Sequence, residues 1–275
     1  MEKVLIAIIF ILFFLLLISI IICYIKVDIS MYNINNSKID KNLKIVFLSD
    51  LHNRNIYKKL IKIVNEIKPD IIICGGDMVN GGYKRSLRFF RLIENLNKYK
   101  TYYTYGNHEE RIDEKNYKEY KYFNKKVSKN GVILLNNKSV NLSNNMKLYG
   151  LNPNINFYGS FGKTCLNKEI ITNYIGKLNI NNFNILVAHN PLEFDSYIDT
   201  NADIVLCGHI HGGAIKLFKR GLLSPDITFF PKYFEGEYKK NKTTMIVSRG
   251  LGFSTKFPIR INNNPEVVII NLNNK

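Results

Sequence analysis

Hydrophobic residues in this chain follow three patterns. From Val4 to Ile25 they run for 22 residues without a charge. At 1.5 Å per residue this is about 33 Å of helix, enough to cross a hydrocarbon core of about 30 Å. No A-x-A-like cleavage site follows, so residues 1–27 are read as a retained membrane anchor rather than a signal peptide. The second pattern is short apolar runs that predict strands at Ile45–Leu48, Ile71–Cys74, Tyr102–Tyr105, Val132–Leu135, Met146–Leu151, Ile185–Ala188, Ile204–Cys207, Met245–Ser248 and Val267–Ile270. The third is helical spacing over Ile56–Lys68, Lys84–Lys98, Asn116–Lys129 and Lys168–Ile175. The first third alternates strand and helix, which predicts parallel pairing with crossover helices, and the closely spaced strands that follow predict antiparallel additions. The expected fold is a layered α/β sandwich. The Asn-rich stretch 28–43 reads as a tether or a first edge strand, and 44–275, which has no later linker or repeat, as one domain.

Composition narrows the class. A hydrophobic fraction of 46% excludes a wholly disordered chain. Four Cys in 275 residues are too sparse for a disulfide scaffold, their lack of a CxxC pair excludes a zinc-finger framework, and Cys74 and Cys207 read as buried thiols within strands. No Walker loop or GxGxxG is present, so a dinucleotide fold is disfavoured. The net charge of +17 favours nucleic acid, an anionic membrane surface or a phosphorylated substrate. Residues 54–100 carry eleven Lys or Arg against four acids, with Leu87, Phe90, Ile93 and Leu96 expected on one helix face and Lys84, Arg85, Arg88 and Arg91 largely elsewhere. That basic face is either simply solvated or meets lipid headgroups; Arg249 and Lys256 are further candidates to reach a phosphate. Positive charge around the anchor favours, taken alone, a cytoplasmic domain. Long C-terminal domains translocate regardless, however, and an extracytoplasmic domain on a single-pass anchor in the cell membrane is the expectation.

Histidine carries the chemistry. All five, His52, His108, His189, His209 and His211, follow a predicted strand directly. Loops at the carboxyl ends of strands converge on the ligand site in open α/β sheets. Acids and glycines stand beside them, in Asp50-Leu-His52, Gly75-Gly76-Asp77, Gly106-Asn107-His108-Glu109, Ala188-His189 and Gly208-His209-Ile-His211. Mixed oxygen and nitrogen ligands suit Mn, Fe, Zn, Ni or Co better than Ca or Mg. Together the segments supply about seven ligands, enough for two ions if one carboxylate bridges.

In order and spacing over residues 45–213, these motifs resemble the calcineurin-like metallophosphoesterase superfamily. Tyr233–Tyr238, Val247–Gly252 and Pro265–Ile269 look like its membrane-anchored bacterial branch, similar to UDP-diacylglucosamine pyrophosphohydrolases and cell-envelope phosphodiesterases. The resemblance implies a four-layer α/β/β/α sandwich. It also implies that Asp50, His52 and His211 hold one divalent metal, that Asn107, His189 and His209 hold the other, and that Asp77 bridges them. His108 is then left free to donate a proton to the leaving oxygen. Asn80 stands where the family often has an acid, and tuning rather than loss is expected. The function implied is hydrolysis of a phosphodiester, phosphomonoester or pyrophosphate by a hydroxide shared between the metals, on a phosphorylated small-molecule or lipid-linked, envelope-derived substrate. The alternatives are a metal-dependent nuclease or nucleotide phosphodiesterase, disfavoured because a tether limits access to nucleic acid, and a catalytically silent membrane-tethered interaction protein.

Overall fold

The computed structural model describes all residues except 83–85, 159–164, 218–219, 225–227 and 255–257, and of 113–115 the backbone only. Lys84, Arg85 and Lys256, named above as basic candidates, lie outside the described residues.

Every expected strand is present, and all but the edge strand over Val132–Leu134 are buried almost throughout, as their apolar runs require. The first sheet contains β1 (Asp28–Asn35), β2 (Leu43–Leu48), β3 (Ile71–Gly75), β4 (Lys100–Thr104), β5 (Val132–Leu134) and β14 (Glu266–Asn273), in the order β1-β14-β2-β3-β4-β5. Strands β2 to β5 run parallel, with Ile45 opposite Ile71 and Ile72 opposite Thr101, while β14 pairs antiparallel to β2. The second sheet contains β6 (Lys138–Asn141), β7 (Met146–Leu151), β8 (Phe183–Ala188), β9 (Ile204–Cys207), β12 (Gly236–Lys240) and β13 (Thr243–Val247), in the order β12-β13-β9-β8-β7-β6. Its four central strands are parallel, and β6 and β12 add antiparallel at the edges.

Side-chain alternation decides what each face meets. Ile45, Phe47, Ile71, Ile73 and Tyr102 point toward the second sheet and pack with Leu148, Ile185, Val187, Leu206 and Ile246. The alternate residues, Val46, Leu48, Ile72 and Cys74, meet α2 (Tyr57–Ile67), α3 (Leu87–Asn95) and α5 (Tyr117–Lys129). On the far side, Leu186, Val205 and Val247 meet Ile171 and Ile175 of α6 (Lys168–Ile175) and Phe194 and Tyr197 of α7 (Phe194–Ile198). Cys74 and Cys207 are buried free thiols, as expected. The buried face of α3 differs from the expectation: Phe89 and Leu92 join Phe90, Ile93 and Leu96 in the core, and Leu87 is exposed.

The strands not anticipated are β6 and β12, both edges and polar, and the short hairpin β10 (Ile215–Leu217) with β11 (Arg220–Leu223). Stretch 28–43, open between tether and edge strand, contains β1, whose burial alternates residue by residue against β14. Helix α4 (Asn107–Lys115) was also unanticipated, its sequence NHEERIDEK having Ile112 as its one apolar residue.

Among the described residues one helix, α1 (Glu2–Ile25), is long and apolar enough to cross a membrane. Its C-terminal carbonyls need partners, and cations are favoured at that end. Arg54 donates to the carbonyls of Cys23 and Tyr24 and, at 2.8 Å, of Leu251, while Lys59 donates to Ile25 at 2.6 Å. The Arg54 guanidinium also lies 4.6 Å from the centre of the Phe253 ring, which stacks on Tyr24. Arg54 stands two residues after His52, so α1 is fastened to the loop that carries two of the predicted ligands.

Candidate metal centre

The loops after β2, β3, β4, β8 and β9 meet at the carboxyl ends of the parallel strands, over the seam between the sheets. They bring together all eight site residues named from the sequence. Asp50, His52 and His211 offer ligand atoms within 4.8 Å of one another, and so do Asp77, His189 and His209. Asp77 also groups with His52 and His108, which places it between the two sets. Its Oδ2 lies 3.2 Å from His189 Nε2 and 3.8 Å from the Nε2 atoms of both His52 and His108. His52 Nε2 and His211 Nε2 are 3.0 Å apart. Asn107 is buried at the start of α4.

The backbone is bent to achieve this. Asp50, His52, Asn53, Asp77, His209 and His211 all have φ between 46° and 71°. Non-glycine residues rarely adopt this region, and such strain gathers at functional sites. The loop after β3 also needs Gly76, at φ 96°: a Cβ there would stand 2.5 Å from His189 Nδ1 and 2.8 Å from the Gly106 nitrogen.

The donor set fits divalent cations on its own chemistry. His189 Nδ1 lies 2.7 Å from the Gly75 carbonyl, which makes Nδ1 the donor and turns the other ring nitrogen inward. That Nε2, Asn107 Oδ1 and His52 Nδ1 are buried with no hydrogen-bond partner among the described residues. Buried polar atoms are rarely left so. A ring nitrogen 3.2 Å from a carboxylate oxygen needs a proton or a cation between them.

Without a cation, the groups titrate against one another. Burial would raise the Asp77 carboxyl, yet His189, His108 and His52 hold it well below the usual carboxylate range. Burial raises Asp50, and Asp77 adds to the rise while His189 opposes it. Burial pushes His52 down to about 3 and His211 well below the ordinary imidazole value. His189 goes the other way, to about 10, because Asp77 and Asp50 outweigh its burial. Carboxylates and imidazoles that compensate one another's charge at this range are a mixed oxygen and nitrogen donor set suited to borderline metals.

Sequence reasoning missed three neighbours. Glu109 is 1% exposed and accepts from the nitrogens of Asp77 and Gly106, each at 2.9 Å, from Val79 N at 3.1 Å and from the Tyr103 hydroxyl at 2.6 Å. It therefore ties the loop after β3 to the loop after β4. Burial pushes its carboxyl up to about 7, Asp77 adding to the rise. Its signal was available: Glu at N3 closes back onto the N-cap nitrogen of α4. Arg260, 2% exposed, lies 3.1 Å from His211 Nδ1 and donates to the carbonyls of Arg249 and Gly252, both at 2.6 Å. The buried Tyr158 ring sits 6.2 Å and 5.9 Å from the rings of His189 and His209. Neither of these two carries a signal in the sequence.

His108, the expected proton donor, has Nδ1 3.1 Å from Asn80 Oδ1, so the residue replacing the usual acid still holds this ring. Burial lowers the His108 pKa. Arg249 is not available to a phosphate, because Glu266 takes its Nε and Nη2 at 3.0 and 2.9 Å and Asp28 lies 3.4 Å from Nη1.

Fold and site together define a metal-dependent hydrolase built at the carboxyl ends of two mixed sheets. The family profile described as calcineurin-like phosphoesterase matches residues 43–213, and the chain belongs to that family. It is 29% identical over 243 residues to YpbG of Bacillus subtilis, covering 84% of this chain and 81% of that one. It is 30% identical to an uncharacterized metallophosphoesterase of Helicobacter pylori, covering 78% of this chain and 56% of the relative, just over half its length. It is 26% identical to the phosphodiesterase YaeI of Escherichia coli, covering 83% and 82%. The chain is thus a metal-dependent phosphoesterase.

Proposed function

We propose that this protein is a membrane-anchored, two-metal phosphoester hydrolase acting on a phosphodiester, phosphomonoester or pyrophosphate of a lipid-linked or cell-envelope substrate. The observation that carries the reading is the pair of ligand groups, Asp50–His52–His211 and Asp77–His189–His209, with Asp77 between them and His189 Nε2 and Asn107 Oδ1 buried without a hydrogen-bond partner among the described residues. The seven residues Asp50, His52, Asp77, Asn107, His189, His209 and His211 would hold the ions. The three core clusters support a four-layer α/β/β/α stack, and the length of α1 supports a single-pass anchor. Kinship with the membrane-anchored bacterial branch and an extracytoplasmic domain belong to the same reading.

When bound, two divalent ions supply charge stabilisation and an activated water for in-line displacement at phosphorus. The protein's own groups do the rest. Asn80 Oδ1 accepts from His108 Nδ1–H, and in the doubly protonated ring Nε2–H is left to give a hydrogen bond or proton to the leaving oxygen. Glu109 holds the backbone on both sides of Asp77 and Asn107. A cavity of about 860 Å³ beside His52, lined by Asn53, Arg54, Asn80, Arg88 and Phe253, has room and positive charge for a phosphorylated ligand.

The test uses full-length protein in detergent, stripped of metal and reloaded with Mn²⁺ or Zn²⁺, with a chromogenic phosphodiester, a monoester and single-stranded DNA as substrates. Metal-dependent turnover of the esters, lost in Asp77→Ala together with bound metal, is the expected result. Full turnover by Asp77→Ala, or by metal-free protein, overturns the assignment.

A further inference from the structure

The end of α1 does not stop at the surface of the domain. Ser19, seven residues from the helix end counting Ile25, hydrogen-bonds with Asn262: Oγ accepts from the backbone nitrogen at 2.8 Å and contacts Oδ1 at 2.9 Å. One turn later Cys23 is buried, and its Sγ accepts from Asn263 N at 3.3 Å. The last two turns, about 10 Å of helix, therefore lie alongside the domain. Before Ser19, the run Val4–Ile18 offers 15 apolar or uncharged residues, or about 22 Å at 1.5 Å per residue, short of a hydrocarbon core of about 30 Å. A helix that fills the core must draw its docked turns, and the flank they rest on, about 8 Å into the bilayer. Ile21, Ile22 and Ile25 are exposed on those turns, at 54%, 45% and 65%, as such immersion requires.

The flank is built for it. Asn262 and its neighbour Ile261 join α1 to the β10–β11 hairpin, where Ile261 bridges Ile215 and the Lys216 nitrogen donates to the Ile261 carbonyl at 3.0 Å. The hairpin in turn pairs Leu223 with Phe229, and Phe230 donates to the Leu222 carbonyl at 3.1 Å. Leu217 is 50% exposed and Phe229 and Phe230 are each 67% exposed, and Leu217 and Phe230 share one shallow cavity with Arg220 and Leu222. Two adjacent phenylalanines left in water have no explanation in the fold of the domain alone. Topology agrees: β1 leaves α1 at the end of the sheet where β14 begins and β2 finishes, which is the end that carries the metal centre.

We infer that the β10–β11 hairpin, with Phe229, Phe230 and Leu217, is a second membrane-contacting element that enters the interface beside α1. The partner is a lipid bilayer. The hairpin supplies the apolar contact, Arg220 beside Leu217 and Phe230 can reach back to headgroup phosphates, and the cavity bounded by Tyr24, Arg54 and His52 opens at headgroup depth. This inference rests on α1 spanning the membrane as proposed above.

The absence of tryptophan from the chain provides the test. Single variants Phe230→Trp, Leu12→Trp in α1 and Ile180→Trp are reconstituted as full-length protein in vesicles with and without acyl-chain-brominated phosphatidylcholine. Ile180 is 60% exposed and precedes β8, at the end of the second sheet away from the site. Brominated lipid should quench Leu12→Trp and Phe230→Trp by half or more and leave Ile180→Trp unchanged. Quenching of Leu12→Trp alone, with Phe230→Trp matching Ile180→Trp, overturns the hairpin inference and leaves the anchor standing. Failure to quench Leu12→Trp overturns the anchor and the inference together.

Discussion

Glu109→Gln isolates the group that joins the two central loops of the site. The best-placed glutamine sets its carbonyl oxygen where Oε2 stands, accepting from Asp77 N and Gly106 N. Its NH₂ then falls at Oε1, where the Tyr103 hydroxyl can turn to accept, but the Val79 N–H meets another donor. A neutral glutamic acid avoids this conflict, since its hydroxyl oxygen accepts from Val79 while donating to Tyr103. The substitution thus leaves one buried N–H unpaired, at about 1–3 kcal/mol. For a chain of this size that lowers Tm by about 2–12 °C. Tyr103→Phe, which leaves three N–H donors on the carboxyl, should lower it less. Because the folded carboxyl is raised from 4.5 to about 7, its contribution is complete below pH 4.5 and declines as pH rises through 7. The gap between wild type and Glu109→Gln should therefore narrow by about 1 kcal/mol between pH 6 and pH 8. Thermal unfolding of metal-stripped, full-length protein in detergent, followed by circular dichroism at both pH values, measures this. A Glu109→Gln melt within 1 °C of wild type at pH 6, or a gap that widens toward pH 8, would refute the reasoning.

The other expectations concern the surrounding residues. His108→Ala should keep its bound metal, read by elemental analysis, while kcat falls by about 10²–10⁴, the range of a lost general acid. Asn80→Ala removes the acceptor that holds the same ring and should lower kcat about 10-fold with metal content unchanged, the lower range for an outer-shell partner. Gly76→Ala must move either His189 or the Gly106 backbone. It should lower both Tm and metal occupancy, and an unchanged occupancy would show that the loop relaxes freely.

Much of this site was legible because its chemistry demands particular side chains at strand ends. Asp50, His52, His189 and the His209/His211 pair each follow an apolar run that had to be a strand, and parallel strands bring such ends together. Strands buried on both faces announce themselves as continuous apolar runs. β6 and β12 do not, being half-solvated edges whose polar residues match those of loops, and for the same reason stretch 28–43 stayed open between tether and edge strand. Leu87 was misplaced because a 3.6-residue period defines a stripe without saying where the sheet beneath it ends. Arg260 and Tyr158 matter through neighbours 49 and 31 residues away in the chain, His211 and His189, and local pattern cannot report such proximity. The left-handed backbone at six residues of the site is equally a product of tertiary assembly, which holds each loop in a conformation it would not choose alone.

Arg54 has a practical consequence for anyone wishing to study the enzyme in water. A fragment cut before Asp28 loses the Cys23 and Tyr24 carbonyls, so the guanidinium keeps Leu251 and the Phe253 face but must find new acceptors. A fragment cut at Asn33 also removes most of β1, baring the edge of β14. In either case the loop that carries Asp50 and His52 loses a brace, and a weak soluble preparation would reflect the deletion as much as the chemistry. The end of α1 braces the loop that carries Asp50 and His52, and full-length protein, held in detergent or nanodiscs under the proposed anchoring, keeps that brace in place.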